Sequence, residues 1–270
     1  MKNTINNQTK SQATTQMAPQ MADRTTDRIQ CTTKSRMGSI MKKQLKLLLH
    51  LFFPCHCVVC GGRLAESEKV ICTRCNMHLP RTDYHRIKGN PVERMFLGKI
   101  PLERATSYFF YRKGSLFRRI IHQFKYGGQK ELGEVMGRFM AADLQAYGFF
   151  EGIDVIVPIP LHPRKRKSRG YNQSEWIARG ISCVSGIPVD AFSVVRDKNT
   201  ETQTRKPGCQ RWKNVRGSFR LRHPEAFVGK HVLIVDDVLT TGATTISCAD
   251  AFRGVEGIRI SILTLAKAVA

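Results

Sequence analysis

The sequence predicts an α/β fold: a mainly parallel sheet flanked by helices, with a small cysteine-bearing head on its N-terminal side. Two observations carry the sheet and a third carries the head. The runs Asp154-Val-Ile-Val-Pro-Ile-Pro160 and Val232-Leu-Ile-Val235 are short, continuous and apolar, the pattern of strands buried on both faces. Each leads through a turn-rich stretch into residues at helical spacing, and strands alternating with helices build parallel sheets. The head rests on two C-x-x-C pairs, Cys57 with Cys60 and Cys72 with Cys75.

The chain has 270 residues, enough for one large domain with an appendage or for two domains. The expected division is a tail over 1–40, an amphipathic helix with the head over 41–100, and the sheet domain over 101–270. The formal net charge is +23, spread along the chain rather than held in one tail. Such a surface attracts polyanions, either nucleic acid or phosphorylated small molecules; the plain alternative is solubility. Nine cysteines, odd in number and clustered, argue against a secreted disulfide framework. No apolar run approaches the ~20 residues of a membrane span. The stretch from Lys42 to Phe53 mimics a signal peptide but has no small-residue cleavage site and runs straight into Pro54 and Cys55. Its Leu and Phe spacing fits an amphipathic helix. These features predict a cytoplasmic protein without a membrane span.

Taken in order, residues 1–40 are rich in Thr, Gln, Asn, Ser and Met without periodicity, a composition that predicts disorder. A start at Met37 or Met41 would give a compact protein beginning just before the helix. In the head, two cysteine pairs about a dozen residues apart have zinc-ribbon spacing. Cys57, Cys60, Cys72 and Cys75 are the expected ligands, and Cys55 and His56 stand beside them as competitors. Four sulfur ligands close the coordination sphere, so the Zn2+ would be structural. A thioredoxin-like redox site needs a single C-x-x-C at a helix start, which the doubled motif argues against.

Residues 80–98 read as a polar connection. Ala105–Tyr111 is aromatic and β-branched, a strand. Leu116–Phe124 has helical spacing, with Arg118, Arg119 and Lys125 outward, and Lys125-Tyr-Gly-Gly128 ends it. A helix follows over 132–147. Asp154–Pro160 is the next strand. It leads into a basic loop, Arg164, Lys165, Arg166, Lys167, Arg169 and Gly170, and then a helix over 173–182. Val189–Arg196 reads as a strand. The long polar stretch 198–214 reads as a lid, with Arg205, Lys206 and Arg211 able to close over a phosphate. A short strand over 218–221, the strand at Val232, a helix over 243–252 and a last strand over 259–265 complete the chain, with no internal repeat.

Chemistry concentrates after Val235. Asp236 and Asp237 stand where that strand is expected to end, followed by Thr240-Thr241-Gly242-Ala243-Thr244 and a helix. Ligands of open α/β sheets sit beyond the carboxyl ends of the strands. A Thr/Gly turn entering a helix offers N–H groups and hydroxyls to an oxyanion. Two carboxylates suit sugar hydroxyls or a divalent cation bridging to them. Together they suggest a phosphorylated ribose. The basic loop, also between a strand and a helix, suits an anion such as pyrophosphate; its plain alternatives are a solvated charge run or a nucleic-acid patch.

The stretch from His231 to Thr245 resembles the phosphoribosyl-pyrophosphate (PRPP) motif of type I phosphoribosyltransferases. Taken with the paired cysteines, with Val157-Pro-Ile-Pro-Leu-His-Pro163 and Arg169-Gly-Tyr-Asn-Gln173, and with Gln203, Arg211 and Asn214-Val-Arg-Gly-Ser-Phe219, the order of motifs is similar to that of ComF-type competence proteins over roughly residues 45–268. Tyr171 stands where that family usually has Phe. The resemblance implies a zinc head on a type I phosphoribosyltransferase-like domain and a role in DNA uptake. It implies that Thr240, Thr241, Gly242, Ala243 and Thr244 hold the 5′-phosphate. Asp236 and Asp237 would hold the ribose, directly or through Mg2+, as the catalytic pair. The Arg164–Gly170 loop would face pyrophosphate, and Gln203, Arg205, Lys206 and Arg211 would form the lid. Two function classes remain. One is phosphoribosyl transfer to an unidentified acceptor. The other is a non-catalytic protein that binds PRPP or single-stranded DNA and works with DNA-uptake proteins. Tyr171 and Trp212 are stacking candidates there, with packing inside the loops as their plain alternative.

Overall fold

The structure is a computed structural model and describes residues 55–196 and 218–269. The expected tail, the helix before Pro54, Trp212 and the lid residues Gln203, Arg205, Lys206 and Arg211 lie outside the described residues. All described residues belong to one compact unit, Leu49–Ala270.

The strands are β1 (Leu102–Tyr111), β2 (Val155–Pro158), β3 (Val194–Arg196), β4 (Phe219–Leu221), β5 (His231–Leu239) and β6 (Arg259–Ala268). The helices are α1 (Thr73–Met77), α2 (Pro91–Phe96), α3 (Arg118–Tyr126), α4 (Lys130–Gln145), α5 (Pro163–Arg169), α6 (Gln173–Ser185) and α7 (Ala243–Asp250). The main sheet runs β1-β6-β5-β2, and every pairing in it is parallel. Strands β3 and β4 form a separate antiparallel pair. Val235 lies opposite Pro158 on one side and Leu263 on the other. Pro158 closes β2 at the point where its missing N–H does no harm.

The apolar run of β5 is buried throughout, and its alternation sorts two cores. Leu233 and Val235 share one with Leu263, Leu265, Ile156 and the inward residues of α4 and α6. Val232 and Ile234 share the other with Ile260, Ile262, Phe96 of α2, and Cys248 and Phe252 at α7. Helices therefore cover both faces, as parallel sheets require. Each fully buried side chain of this size contributes about 2 kcal/mol. The first core is continuous with the head: Cys57, Val59, Leu64, Ile71 and Leu79 are part of it. Helices α4 and α6 approach so closely that a Cβ on Gly180 would lie 2.1 Å from the Glu134 carbonyl oxygen. Among the described residues no helix is long and apolar enough to cross a membrane.

Four expectations change. Residues 80–98 hold a 3-10 turn, Tyr84–Arg86, and α2. Asn90 caps α2 by accepting from the N–H groups of Val92 and Glu93, with Pro91 at the first position; a helix of six residues is too short to give a periodic signal. The basic segment is not a loop but α5. Pro163 opens it, and Gly170 closes it at φ +78°. Pro just inside the start and Gly just past the end punctuate helices as well as loops. The strand expected over 189–196 shrinks to β3 and a single bridge at Val189 beside Ile156, because Asp190 accepts from Phe192 N–H and Ser193 N–H and turns the chain. Finally, β5 does not end before the acids: it continues through Asp236 and Asp237 to Leu239 along β6.

Candidate functional site

The acidic pair sits near the carboxyl end of β5, and alternation along the strand separates its two members. Asp237 accepts from Lys125 Nζ at 2.9 Å, with side-chain exposures of only 13% and 21%. Lys125 is the penultimate residue of α3. It turns inward, contrary to the outward position its helical spacing suggested. Asp236 accepts from Ser174 Oγ at 3.1 Å and from Asp237 N–H at 2.8 Å. Burial, and then the charge of Asp237, push the Asp236 carboxyl up to about 7. Two crowded carboxylates, one of them desolvated, gain from an added cation. Oxygen donors of this kind suit a hard divalent ion such as Mg2+.

Cations surround the pair. The guanidinium of Arg196, at the end of β3, feels the charge of Asp236 and lies over the Phe219 ring at 5.1 Å. Burial lowers its proton affinity, and its Nε is buried without a hydrogen-bond partner among the described residues. On α5, Lys165 and Arg169 share a face at i, i+4. Partial burial of the Lys165 ammonium lowers its proton affinity. Nearby Arg169, Arg196 and Lys125 act in the same direction, and Asp237 opposes them. Arg169 donates to Gln173 Oε1 at 3.0 Å and lies over the Tyr126 ring at 5.5 Å. Arg164, Arg166 and Lys167 are exposed. Of the five expected cations, then, the Lys165 ammonium feels Asp237 and has Arg169 beside it, although Lys165 is exposed like the other three.

The turn after β5 lies between strand and helix as its sequence suggested. Thr240 and Thr241 are exposed, and Ala243 and Thr244 open α7 half-buried. Gly242 is buried at φ +77°, a left-handed conformation costly for any residue with a Cβ. An added Cβ would also lie 3.1 Å from the Phe96 ring, so α2 forms the floor of the turn. No side chain caps α7, and its first N–H groups suit an anion. Tyr171, the stacking candidate, donates its hydroxyl to the Phe124 carbonyl and is half-buried against that ring. It follows the plain packing alternative.

Sequence reasoning missed Lys125, Ser174 and Arg196. Lys125 precedes Tyr-Gly-Gly, and Ser174 opens α6. Neither carries a local signal, because their partner acids lie far along the chain.

In the head, the Sγ atoms of Cys57, Cys60, Cys72 and Cys75 all lie within 4.8 Å of one another. Cys60 Sγ and Cys72 Sγ are 3.8 Å apart, close to the separation that tetrahedral coordination at about 2.3 Å per Zn–S bond requires. Backbone N–H groups point at the sulfurs: Gly62 at Cys60, Cys72 at Cys57, and Cys75 at Cys72, at 3.3–3.4 Å. Burial opposes ionisation of Cys57, but backbone N–H bonds from Cys60, Cys72 and Val59 outweigh it and bring the thiol down to about 7. Burial and the neighbouring thiols push Cys75 up. Four thiolates this close repel one another unless a cation lies between them, so the donor set fits zinc. Cys55 and His56, the competitors, are exposed and outside the group.

No family model matches the chain. It is 30% identical to the DNA utilization protein YhgH of Escherichia coli (strain K12) over 196 residues, covering 72% of this chain and 82% of that protein. It is 25% identical to competence protein F of Haemophilus influenzae over 220 residues, covering 77% and 96%. It is 24% identical to competence protein ComFC of Bacillus subtilis over 190 residues, covering 70% and 73%. Among solved structures, glutamine PRPP amidotransferase from B. subtilis matches with TM-score 0.31 and 19% identity, over 51% of this chain and only 26% of that one. Adenine phosphoribosyltransferase from Leishmania tarentolae matches with TM-score 0.33 and 13% identity, over 53% and 73%. The fold assignment rests on strand order and register.

Proposed function

The chain belongs to the ComF family of competence and DNA-utilization proteins, and on that premise we propose that it binds PRPP with Mg2+ at the carboxyl end of β5 and transfers phosphoribose to an acceptor. The observation that carries this reading is the acidic pair Asp236–Asp237 beside the uncapped start of α7, with Lys125, Lys165, Arg169 and Arg196 in its neighbourhood. One oxyanion cradle, two carboxylates and a group of cations match the three parts of PRPP: 5′-phosphate, ribose and pyrophosphate.

The residues divide the work by charge. The Thr240–Thr244 turn and the first N–H groups of α7 hold the 5′-phosphate. Asp236 and Asp237 take the ribose hydroxyls. Lys165, Arg169 and Arg196 face the pyrophosphate. Asp236 and Asp237 would hold Mg2+, which would supply positive charge to offset that of the leaving pyrophosphate. The C1–O bond breaks and its electron pair leaves with pyrophosphate. The new bond forms from the acceptor to C1, and the acceptor's proton is released. Positive charge develops on the sugar, so a fixed carboxylate pair stabilises the transition state more than the ground state.

A second reading draws on the other cations of α5. Arg164, Arg166 and Lys167 are exposed and suit the backbone of single-stranded DNA. Calorimetric titration of one preparation with PRPP–Mg2+ and with a single-stranded oligonucleotide, near physiological salt, separates the two. Asp236→Asn with Asp237→Asn should weaken PRPP–Mg2+ binding by a few kcal/mol, on the order expected for lost charge-assisted hydrogen bonds. No heat with PRPP at millimolar concentration, alongside clear DNA binding, would leave the second reading alone.

A further inference from the structure

Helix α3 touches both chemical centres. Near its start, Arg119 Nη1 donates to the Val59 carbonyl at 2.8 Å. Val59 lies between two of the four grouped cysteines, Cys57 and Cys60, and is buried. Its carbonyl is placed by the tight turn that these cysteines define, in which Cys57 N–H bonds the Gly62 carbonyl and Gly61 N–H bonds the Cys57 carbonyl. At the other end of the same helix, Lys125 Nζ pairs with Asp237. The Phe124 carbonyl accepts from Tyr171, which lies between α5 and α6, and the Tyr126 ring lies beneath Arg169 of α5. Lys125 lies six positions after Arg119 along the helix, a rise of roughly 9 Å. The buried Ile120, Ile121 and Phe124 make this turn-and-a-half a stiff strut rather than a tether.

We propose that Arg119 is a positioning residue through which the cysteine head sets the place of α3, and so of Lys125, at the acidic pair. With a metal in the head the turn is fixed, Val59 holds Arg119, and the C-terminal end of α3 delivers Lys125 to Asp237 and Tyr126 to Arg169. When the four sulfurs lose their cation, the cross-link between the two cysteine turns is gone, the turn loosens, and the Arg119 anchor goes with it. The ligand site then loses one cation from the pair and the support of a second. Release of the head's metal is thus read at a site to which the head contributes no ligand. This consequence rests on the reading of the acidic pair as the ligand site; the coupling itself does not.

The test uses the full chain, reduced and zinc-loaded, and reads Lys125 directly. Trace acetylation of lysines followed by mass spectrometry compares Lys125 with the exposed Lys88. Paired and largely buried, Lys125 should react more slowly by roughly tenfold, the cost of breaking one charge-assisted bond. Arg119→Ala, with its zinc content measured and retained, should bring Lys125 close to the rate of Lys88, and Arg119→Lys should restore part of the protection. Removal of zinc from the wild-type chain should act in the same direction. The deciding arm is Arg119→Ala, because it leaves the head folded. Unchanged protection of Lys125 in that variant overturns the proposal, whatever zinc removal does. PRPP–Mg2+ titration of the same variant is the second readout, with an expected several-fold loss of affinity. If Lys125 responds while the wild-type chain binds no PRPP, the coupling stands and the ligand reading falls.

Discussion

At His231 the chain places an imidazole where water cannot reach it. The residue is 3% exposed at the start of β5, at the opposite end of that strand from the acidic pair. Its Nδ1 bonds the Gly152 carbonyl at 3.1 Å and its Nε2 meets Ser261 Oγ at 2.8 Å. Burial lowers its proton affinity and the Arg259 charge adds to this, while Glu103, the Gly152 carbonyl and Asp154 oppose. The unfolded chain therefore takes up this proton more readily than the folded one. Stability is full above the ordinary histidine value near 6.5 and declines as pH falls below it. His231→Gln should flatten that decline between about pH 6.5 and pH 5 in denaturant-unfolding curves; an unaltered slope would show that His231 binds its proton equally in both states. Asp236 works in the other direction. Its raised value means that the folded state keeps a proton which the unfolded state releases, so its contribution falls as pH rises toward about 7. The site thus carries a cost near neutrality that an arriving cation relieves.

Among the elements, the cysteine turns and α5 show how little local sequence needs to say. The head has few regular elements, yet Cys57, Val59, Leu64, Ile71 and Leu79 are buried in the same core as α3 and α4. A small unit of this kind gains much of its folding free energy from the metal. Cys60 is exposed, so Cys60→Ser should remove a ligand without opening a cavity. Metal analysis of the reduced wild-type protein should find about one zinc per chain, and the variant should lose most of it and melt at lower temperature. Absence of zinc from freshly purified reduced wild-type protein would sink this assignment. Helix α5 distinguishes its cations by surroundings. Arg169 is half-buried and the Lys165 ammonium feels the charge of Asp237, while Arg164, Arg166 and Lys167 are exposed, and helical spacing is what brings residues 165 and 169 together.

For the molecule as a whole, the +23 charge sets a long-range preference for anions. If the exposed face of α5 carries DNA backbone, replacing Arg164, Arg166 and Lys167 with Ala should reduce the slope of log affinity against log salt by about 2, at about 0.7 per phosphate contact on a single strand. Oligonucleotides of different sequence should lose affinity about equally, since backbone contacts carry no base information. Fluorescence anisotropy across a salt series checks both; an unchanged slope would place the DNA elsewhere on the basic surface. The continuous core beneath the head and the sheet makes the two chemical centres parts of one packed body, which is why a contact such as Arg119 with Val59 can matter to a site at the strand end.

The sequence by itself determined the strands at Val155 and Val232, the cysteine quartet and the strand–turn–helix order around Gly242, because burial periodicity, ligand spacing and turn conformation are local properties. Val232–Val235 announces itself as doubly buried wherever it is placed, and the doubled C-x-x-C spacing foretells the four sulfurs that lie within 4.8 Å of one another. Tertiary structure alone decided that β5 carries its acids inside the strand, since β6 extends far enough to pair with them. It also decided that Lys125 turns to Asp237, that Ser174 reaches Asp236, and that Arg196 joins from β3. Each of these joins residues dozens of positions apart, and their register depends on how helices settle on a twisted sheet. A residue's own neighbours in sequence, as with the helical spacing that sent Lys125 outward, carry no record of that settlement.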